Sequence, residues 1–580
     1  MFKLTFRAPR RGVRSRGVRR LGIRSLGLRR LAVAAWLSLG ATAFSASAFA
    51  QETLSDLIRS GNREAVLAAI TSPDLDVNTP EADGSTALLW ATYKVDHELV
   101  RALLKAGAKA NVTNNFGSSP LAEAVKLSDV ELVRMLLDAK ANPDSPNQDG
   151  QTALMLASNL GSLEIAKLLI AKGASVNAVE NYRGQTALMW AAAGNYPDVV
   201  ELLLSKGADV KKRAAFDDWQ RQMTSEPRAQ FRQTGGLTAL LYATRSGCYR
   251  CAVAIVKAGA DVNQPNPDGI TPLINAIDNR SYDIAMFLLD KGANPSVWDM
   301  NGRTPVYVAI DMNSYGGRSG FGSGNFQGFG EPPGPPRPPS KATALEVASR
   351  LLDMGVDPNH ELTRMRPNGN GRGRFADYMM RGGTGPLMVA TLSYDTDAIE
   401  LLLKHGAEVD APNVFQITPL MAAAGMSGSS RGGVGNSIGG GGGSGPALKP
   451  DEVQARVIKT IDLLLAAGAN INARITDSRT RTAKMVAYIQ GRDHEGQTAI
   501  FASAEAGWDK VVKHLIERGA DPLTRDASGK LALDYARTPP PVGPGAPAPG
   551  PAAIAGRAAT VALLEGLVPK AKGGQETAAR

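Results

Sequence analysis

The chain has 580 residues, of which 43% are hydrophobic and only 6% aromatic, with 62 glycines and 35 prolines. That balance excludes one large aromatic core and points to many turns and low-complexity inserts. The formal charge of +10 belongs to the leader: residues 1–50 hold Lys3 and ten arginines with no acid, and without these eleven the chain has 54 basic against 55 acidic residues, which removes the charge argument for nucleic-acid binding.

Within that leader, Gly-apolar-Arg recurs at Gly12, Gly17, Gly22 and Gly27, a tract that buries nothing. Leu31 to Phe44 is then an apolar run between Arg29-Arg30 and Ala48-Phe49-Ala50. Basic flank, short apolar stretch and small-x-small site make a secretory signal, with cleavage after Ala50 and an exported product, periplasmic or extracellular. An uncleaved anchor over Leu31–Ala50 is the alternative, although this segment barely reaches spanning length. Arg29-Arg30-Leu31 also fits a twin-arginine export signal.

From residue 51 onward a fixed period dominates. Thr-(Ala/Pro)-Leu recurs at Thr86, Thr152, Thr186, Thr238, Thr271 and Thr418, with relatives at Ser119, Thr304, Thr384 and Thr498. The step is 33 from 86 to 119 to 152, then 34 to 186, and 33 again from 238 to 271 to 304. Gly-Ala recurs independently at Gly107, Gly173, Gly207, Gly259, Gly292, Gly406, Gly468 and Gly519.

Asp149-Gly150 predicts a turn, and Thr152 an N-cap for a short helix presenting Leu154 and Ala157. Pro272, Pro305 and Pro419 occupy the first helical turn in sister units, where proline loses no hydrogen bond. Gly161 ends the helix in the left-handed conformation. A second helix follows, with Ile165, Leu168 and Leu169 at i, i+3, i+4, and Gly173-Ala174 turns the chain into the next unit.

This order resembles the ankyrin repeat, whose pattern includes D-x-x-G-x-T-P-L and L-L-L-x-x-G-A-D-V-N. The clearest copies run from Arg183-Gly184-Gln185-Thr186-Ala187-Leu188 to Gly207-Ala208-Asp209-Val210, and from Asp268-Gly269-Ile270-Thr271-Pro272-Leu273 to Gly292-Ala293-Asn294-Pro295. The resemblance covers nearly all of 52–568, roughly a dozen units with degenerate capping ends. It implies an all-α solenoid of helix-turn-helix units with β-hairpin fingers, whose fingers and first helices line a concave docking face.

The expected organisation is a basic leader and signal peptide (1–50), repeats over 51–310 with a finger insert at 211–235, and a Gly/Pro-rich loop at 311–341. Repeats follow over 342–424 with an insert at 360–383, then a Gly-rich loop at 425–450 and repeats over 451–537 with an insert at 473–492. A Pro/Ala-rich loop and capping helix (538–568) and a tail (569–580) complete it. The loops at 311–341, 425–450 and 538–552 each part a first helix from its second and read as spacers. The proline run 332–339 reads as a spacer in preference to a proline-motif ligand. Gly439–Gly443 lacks the lysine and the context of a phosphate loop.

The inserts at 211–235, 360–383 and 473–492 fall between repeats, where fingers lie. They carry six, five and five basic residues against three, two and one acidic, interleaved with aromatics. Arg213, Phe216, Trp219, Phe231, Arg232, Arg374, Phe375, Tyr378, Arg481 and Tyr488 are the candidate binding residues, since arginine and aromatics supply interface hot spots. They are expected to meet a protein partner of acidic or mixed charge; the alternative is solvated loops.

Candidate chemistry is sparse. The only cysteines, Cys248 and Cys251, fall at the start of a second helix, where a buried core pair or a local disulfide outweighs redox chemistry because no thioredoxin-like pattern surrounds them. A haem motif would need histidine at Ala252, and zinc two further ligands. His97, His360, His405, His494 and His514 are scattered, and no nucleophile elbow or H-E-x-x-H motif occurs. The reading is a non-enzymatic, monomeric binding scaffold acting outside the cytoplasm, with no cofactor, no nucleic acid and no membrane span after signal cleavage. Its alternatives are a thiol-redox accessory protein using Cys248 and Cys251, and a secreted host-directed effector.

Overall fold

The computed structural model describes residues 53–72, 75–216, 235–314, 339–362, 383–426, 449–476, 494–538 and 550–568. Among them are twenty-four α-helices and no strand, the only β features being isolated bridges. The helices form twelve helix-turn-helix pairs, here repeats 1 to 12. Repeat 1 comprises Leu54–Ser60 and Arg63–Ala69, and repeat 12 Ala532–Arg537 and Pro551–Glu565.

Local chemistry sets each helix. Thr86, Ser119, Thr152, Thr186, Thr238, Thr271 and Thr418 accept the amide three residues on, at 3.2–3.4 Å, satisfying a donor the helix cannot. In repeat 9 the cap is Gly385 rather than Thr384, because Pro386 takes the first helical position. Seventeen residues past each cap comes the core of the second helix. Leu103, Leu136, Leu169, Leu203, Ile255, Leu288, Leu402 and Leu515 are all fully buried there, each against neighbouring pairs, so burial is shared between units.

Two hydrogen-bond series tie repeats together. On the finger side, backbone bonds run from Asn115 N to Asp83 O (2.8 Å), Asn181 N to Asp149 O (2.7 Å), Ala215 N to Arg183 O (2.7 Å) and Met300 N to Asp268 O (2.9 Å). The glycine in each turn, such as Gly150 at φ +80, has no room for a Cβ against the next finger, where Asn181 lies 2.8–2.9 Å from it. On the Gly-Ala side, Asn78, Asn111, Asn177, Asn263, Asn359 and Asn472 each donate to a carbonyl of the next repeat. Lys211 stands at this position after repeat 5.

The helix boundaries correct the expected loops. Helix Pro305–Ser314 takes the first four residues of the 311–341 segment, because Asn313 and Ser314 both donate to the Asp395 carboxylate at 2.7 and 2.8 Å. After 425–450, helix Pro450–Ala466 starts with proline and the acids Asp451 and Glu452 in its first turn, well before Val457. Helix Pro551–Glu565 likewise begins before Val561, pinned by Arg557, which donates to the Ala536 and Glu505 carbonyls. Between repeats 7 and 8, buried Arg303 bonds Asp299 (2.7 Å) and Asp278 (3.2 Å).

Candidate functional site

Of the sequence-predicted binding residues, Arg213 and Phe216 lie in the described part. Trp219, Phe231, Arg232, Arg374, Phe375, Tyr378, Arg481 and Tyr488 lie outside the described residues. Arg213 pairs with Thr238 and Phe216 with Gly235 as antiparallel bridges, so the insert leaves and re-enters through one closed base, with Phe216 60% exposed beside it. The other two inserts close in the same manner. Leu362 N donates to Thr384 O and Gly383 N to Leu362 O at 3.2 and 2.9 Å; Ile475 N donates to Gln497 O and Gly496 N to Ile475 O at 3.1 and 2.7 Å. These bases are bridges or hydrogen-bonded turns rather than strand hairpins.

Cys248 and Cys251 are joined as a disulfide with Cα atoms 5.2 Å apart. Cys248 caps helix Tyr249–Lys257, its sulfur accepting the Cys251 amide at 3.2 Å. Both side chains are buried, at 2% and 0% exposure, which bars the in-line approach that thiol exchange needs. The histidines face carboxylates, a ring or, for His494, the Gln497 amide at 2.9 Å. His97 meets Asp129 and His514 meets Asp462, each at 2.8 Å, while His360 stacks on Trp298. Asp129 is held below the usual carboxylate range: burial opposes its charge, but the Leu132 amide and His97 outweigh that. Among the described residues no three His, Cys, Asp or Glu side chains gather as a metal requires.

The first helices, expected to share the docking face with the fingers, supply further residues there. In repeats 2, 6 and 12 the side chain four residues after the cap meets a finger. Trp90 Nε1 donates to Glu81 at 3.2 Å, Gln185 Nε2 to the Tyr242 hydroxyl at 2.5 Å, and the Tyr535 hydroxyl to Asp526 at 2.6 Å. Trp190 occupies the same position in repeat 5, whose first helix is Ala187–Ala193. Three arginines lie over these rings or their neighbours: Arg59 over Trp90 (5.3 Å), Arg183 over Tyr182 (5.7 Å) and Arg245 over Tyr242 (5.0 Å), a geometry of cation–π attraction. In the sequence, only the 34-residue step from Thr152 to Thr186 marks the longer Tyr182-Arg183 finger.

On the second-helix side, several cations pair with a neighbouring repeat: Arg101 with Glu131 (3.0 Å), Lys172 with Asp138 (2.9 Å), and Arg250 with both Asp198 and Glu201 (2.9 Å each). Arg250 consequently holds its proton more tightly than usual. On the finger side, Arg183 and Arg245 have no carboxylate partner among the described residues.

Comparison with protein families then decides what the units are. The ankyrin-repeat model, spanning three copies, matches residues 54–147, 131–214 and 240–317, and the single ankyrin-repeat model matches 495–527. The chain is an ankyrin-repeat protein. The matches stop where inserts at 211–235 and beyond 317 interrupt the period, while repeat 10 of this ankyrin array keeps the threonine cap at Thr418 and repeat 9 the Gly-Ala turn at Gly406. A search of curated proteins finds no match. No helix among the described residues is long and apolar enough to cross a membrane.

Proposed function

We propose that this ankyrin-repeat protein is a non-enzymatic, monomeric scaffold acting outside the cytoplasm, which grips a protein partner of acidic or mixed charge through its fingers and first-helix face. The observation that carries the reading is the gathering of arginines and exposed aromatics on the finger side, where Arg183 and Arg245 lie over rings and Tyr182 and Phe216 are exposed, the composition of binding hot spots. Export is supported by the leader pattern over 1–50 and suits the buried Cys248–Cys251 pair, since disulfides persist in oxidising compartments.

The test is crosslinked capture by the mature chain, with and without residues 211–235. Capture of a discrete protein that is lost on deletion, with circular dichroism unchanged, supports the reading; capture insensitive to the deletion refutes the role of that finger. Cell fractionation that leaves the chain in the cytoplasm would sink the exported location.

A further inference from the structure

We infer that the finger-side face of repeats 5 and 6 is a cradle for an acidic, extended polypeptide segment bearing apolar side chains. This rests on the scaffold reading and narrows it to one surface and one partner chemistry.

The inference starts from one carboxylate. In repeat 2, Glu81 accepts the Trp90 indole N–H at 3.2 Å and pairs with Arg59 at 3.1 Å, so the ring, the cation and the acid satisfy one another. The corresponding acid before repeat 5 is Glu180. There the finger is one residue longer, and Glu180 turns inward to 3% exposure, accepting the amides of Tyr182, Arg183 and Gln185 at 2.6, 2.8 and 2.9 Å. Its capacity is spent on the finger backbone. As a result, among the described residues, Trp190 Nε1, the equivalent of the bonded Trp90 nitrogen, has no acceptor, and Arg183 has only the Tyr182 ring beneath it. A buried donor left in this state costs free energy.

The next repeat continues the same deficit. The backbone bond from Ala215 N to Arg183 O joins the two fingers, and the Gln185–Tyr242 bond joins the finger to the first helix of repeat 6. Arg245, seven residues past the Thr238 cap, again has only a ring as its partner among the described residues. Apolar surface lies alongside: Tyr182 is 76% exposed and Phe216 60%. Two guanidinium groups on adjacent repeats, without counter-charges among the described residues, call for carboxylates, and the exposed rings call for an apolar side chain. First helices of neighbouring units pack about 8–10 Å apart, and an extended chain rises about 3.3 Å per residue. An extended segment of about three residues therefore reaches from one repeat to the next.

The experiment uses the mature chain and a fluorescein-labelled copolymer of glutamate and tyrosine, followed by anisotropy. The expected result is salt-sensitive binding that Arg183→Gln with Arg245→Gln weakens by about tenfold or more. Tyr182→Ala with Phe216→Ala is expected to weaken the copolymer more than polyglutamate, and the second-helix pair Arg101→Gln with Arg250→Gln to change nothing. Circular dichroism and melting of each variant report that the stack is intact. Wild-type affinity in the Arg183/Arg245 variant overturns the inference. So does equal loss in the Arg101/Arg250 variant, or preference for dextran sulfate or phosphatidylglycerol vesicles over the copolymer. Partner capture that persists in the Arg183/Arg245 variant sinks the cradle alone, whereas absence of any capture by the wild-type chain sinks the scaffold reading.

Discussion

Replacing Gly161 with alanine tests how tightly successive repeats are fitted. Gly161 ends helix Ala153–Leu160 at φ +69, and a Cβ there would lie 2.3 Å from Tyr196 Cδ1. The opposite edge of the same ring meets Gly194, where a Cβ would come within 2.4 Å of Cε2. Tyr196 is thus seated between the backbones of two glycines, and its half-buried hydroxyl is pushed above the ordinary tyrosine range by desolvation. Gly194 has ordinary right-handed geometry, so alanine there meets only the ring, an overpacking cost of about 1–3 kcal/mol. At Gly161 the left-handed backbone adds about 1–2 kcal/mol, giving a total of about 2–5 kcal/mol from the two effects. Urea unfolding followed by far-UV circular dichroism, with hydrogen exchange across repeats 4 and 5, measures both losses. In a Tyr196→Ala background the Gly194→Ala penalty is expected to vanish while Gly161→Ala keeps its backbone share. Failure of Tyr196→Ala to relieve Gly194→Ala would refute the packing argument.

Val95 sits at φ +58 where other repeats place Gly61, Gly161, Gly247 and Gly507, so Val95→Gly is expected to raise stability by about 1 kcal/mol. Asn195→Gly, at the same position in repeat 5, is expected to be nearly neutral because asparagine tolerates that region; thermal melts compare the two. In repeat 12 the Tyr535 hydroxyl is pushed up to about 12, by burial first and then by its bond to Asp526. Its stabilising share is therefore intact below the ordinary value of 10.0 and lost as pH rises through about 12. Asp526 is held below its ordinary 3.8, since bonds from Tyr535 and Ser528 outweigh burial, so its share fades as the solution is acidified beneath that value. Melting curves from pH 3 to 12 should show both arms, and Tyr535→Phe should remove the alkaline one. Lys211→Asn extends the asparagine series, bringing an amide toward Gly259 as Asn177 does toward Gly207; a gain of about 1 kcal/mol in denaturant titrations is expected.

The features legible in the sequence are those set by a few adjacent residues. A hydroxyl at Thr152 can cap only the helix that follows it, and Gly161 accepts a left-handed backbone wherever it stands, so period, helix order and fold class follow from local chemistry. Thr384 shows the limit: it matches the pattern, but Pro386 fixes the helix start and moves the cap to Gly385. The interval of 21 residues from Gly385 to the Gly-Ala turn at Gly406, equal to that from Thr86 to Gly107, carried the correct register. Helices Pro450–Ala466 and Pro551–Glu565 begin earlier than their apolar residues suggest, because proline, acids and Arg557 start or anchor them without contributing to a hydrophobic pattern. The Trp190 and Arg183 surface was illegible for a different reason. It depends on which way Glu180 turns, and that is decided by the amides of a finger lengthened by one residue, a three-dimensional choice with no periodic trace.

The bonded pairs at the foot of each insert have a consequence for how this protein can change. Asn359 reaches the carbonyl of Gly406, and Asn472 that of Gly519, although 47 positions of chain separate each pair. The stack thus registers the intervening segment as though it had no length, since entrance and exit share one doorway. Sequence passed through such a doorway is free to drift, lengthen or be exchanged for another without altering the register on either side. What an insert contains and what holds the repeats in register are therefore separable traits, and selection can act on one while the other is held fixed.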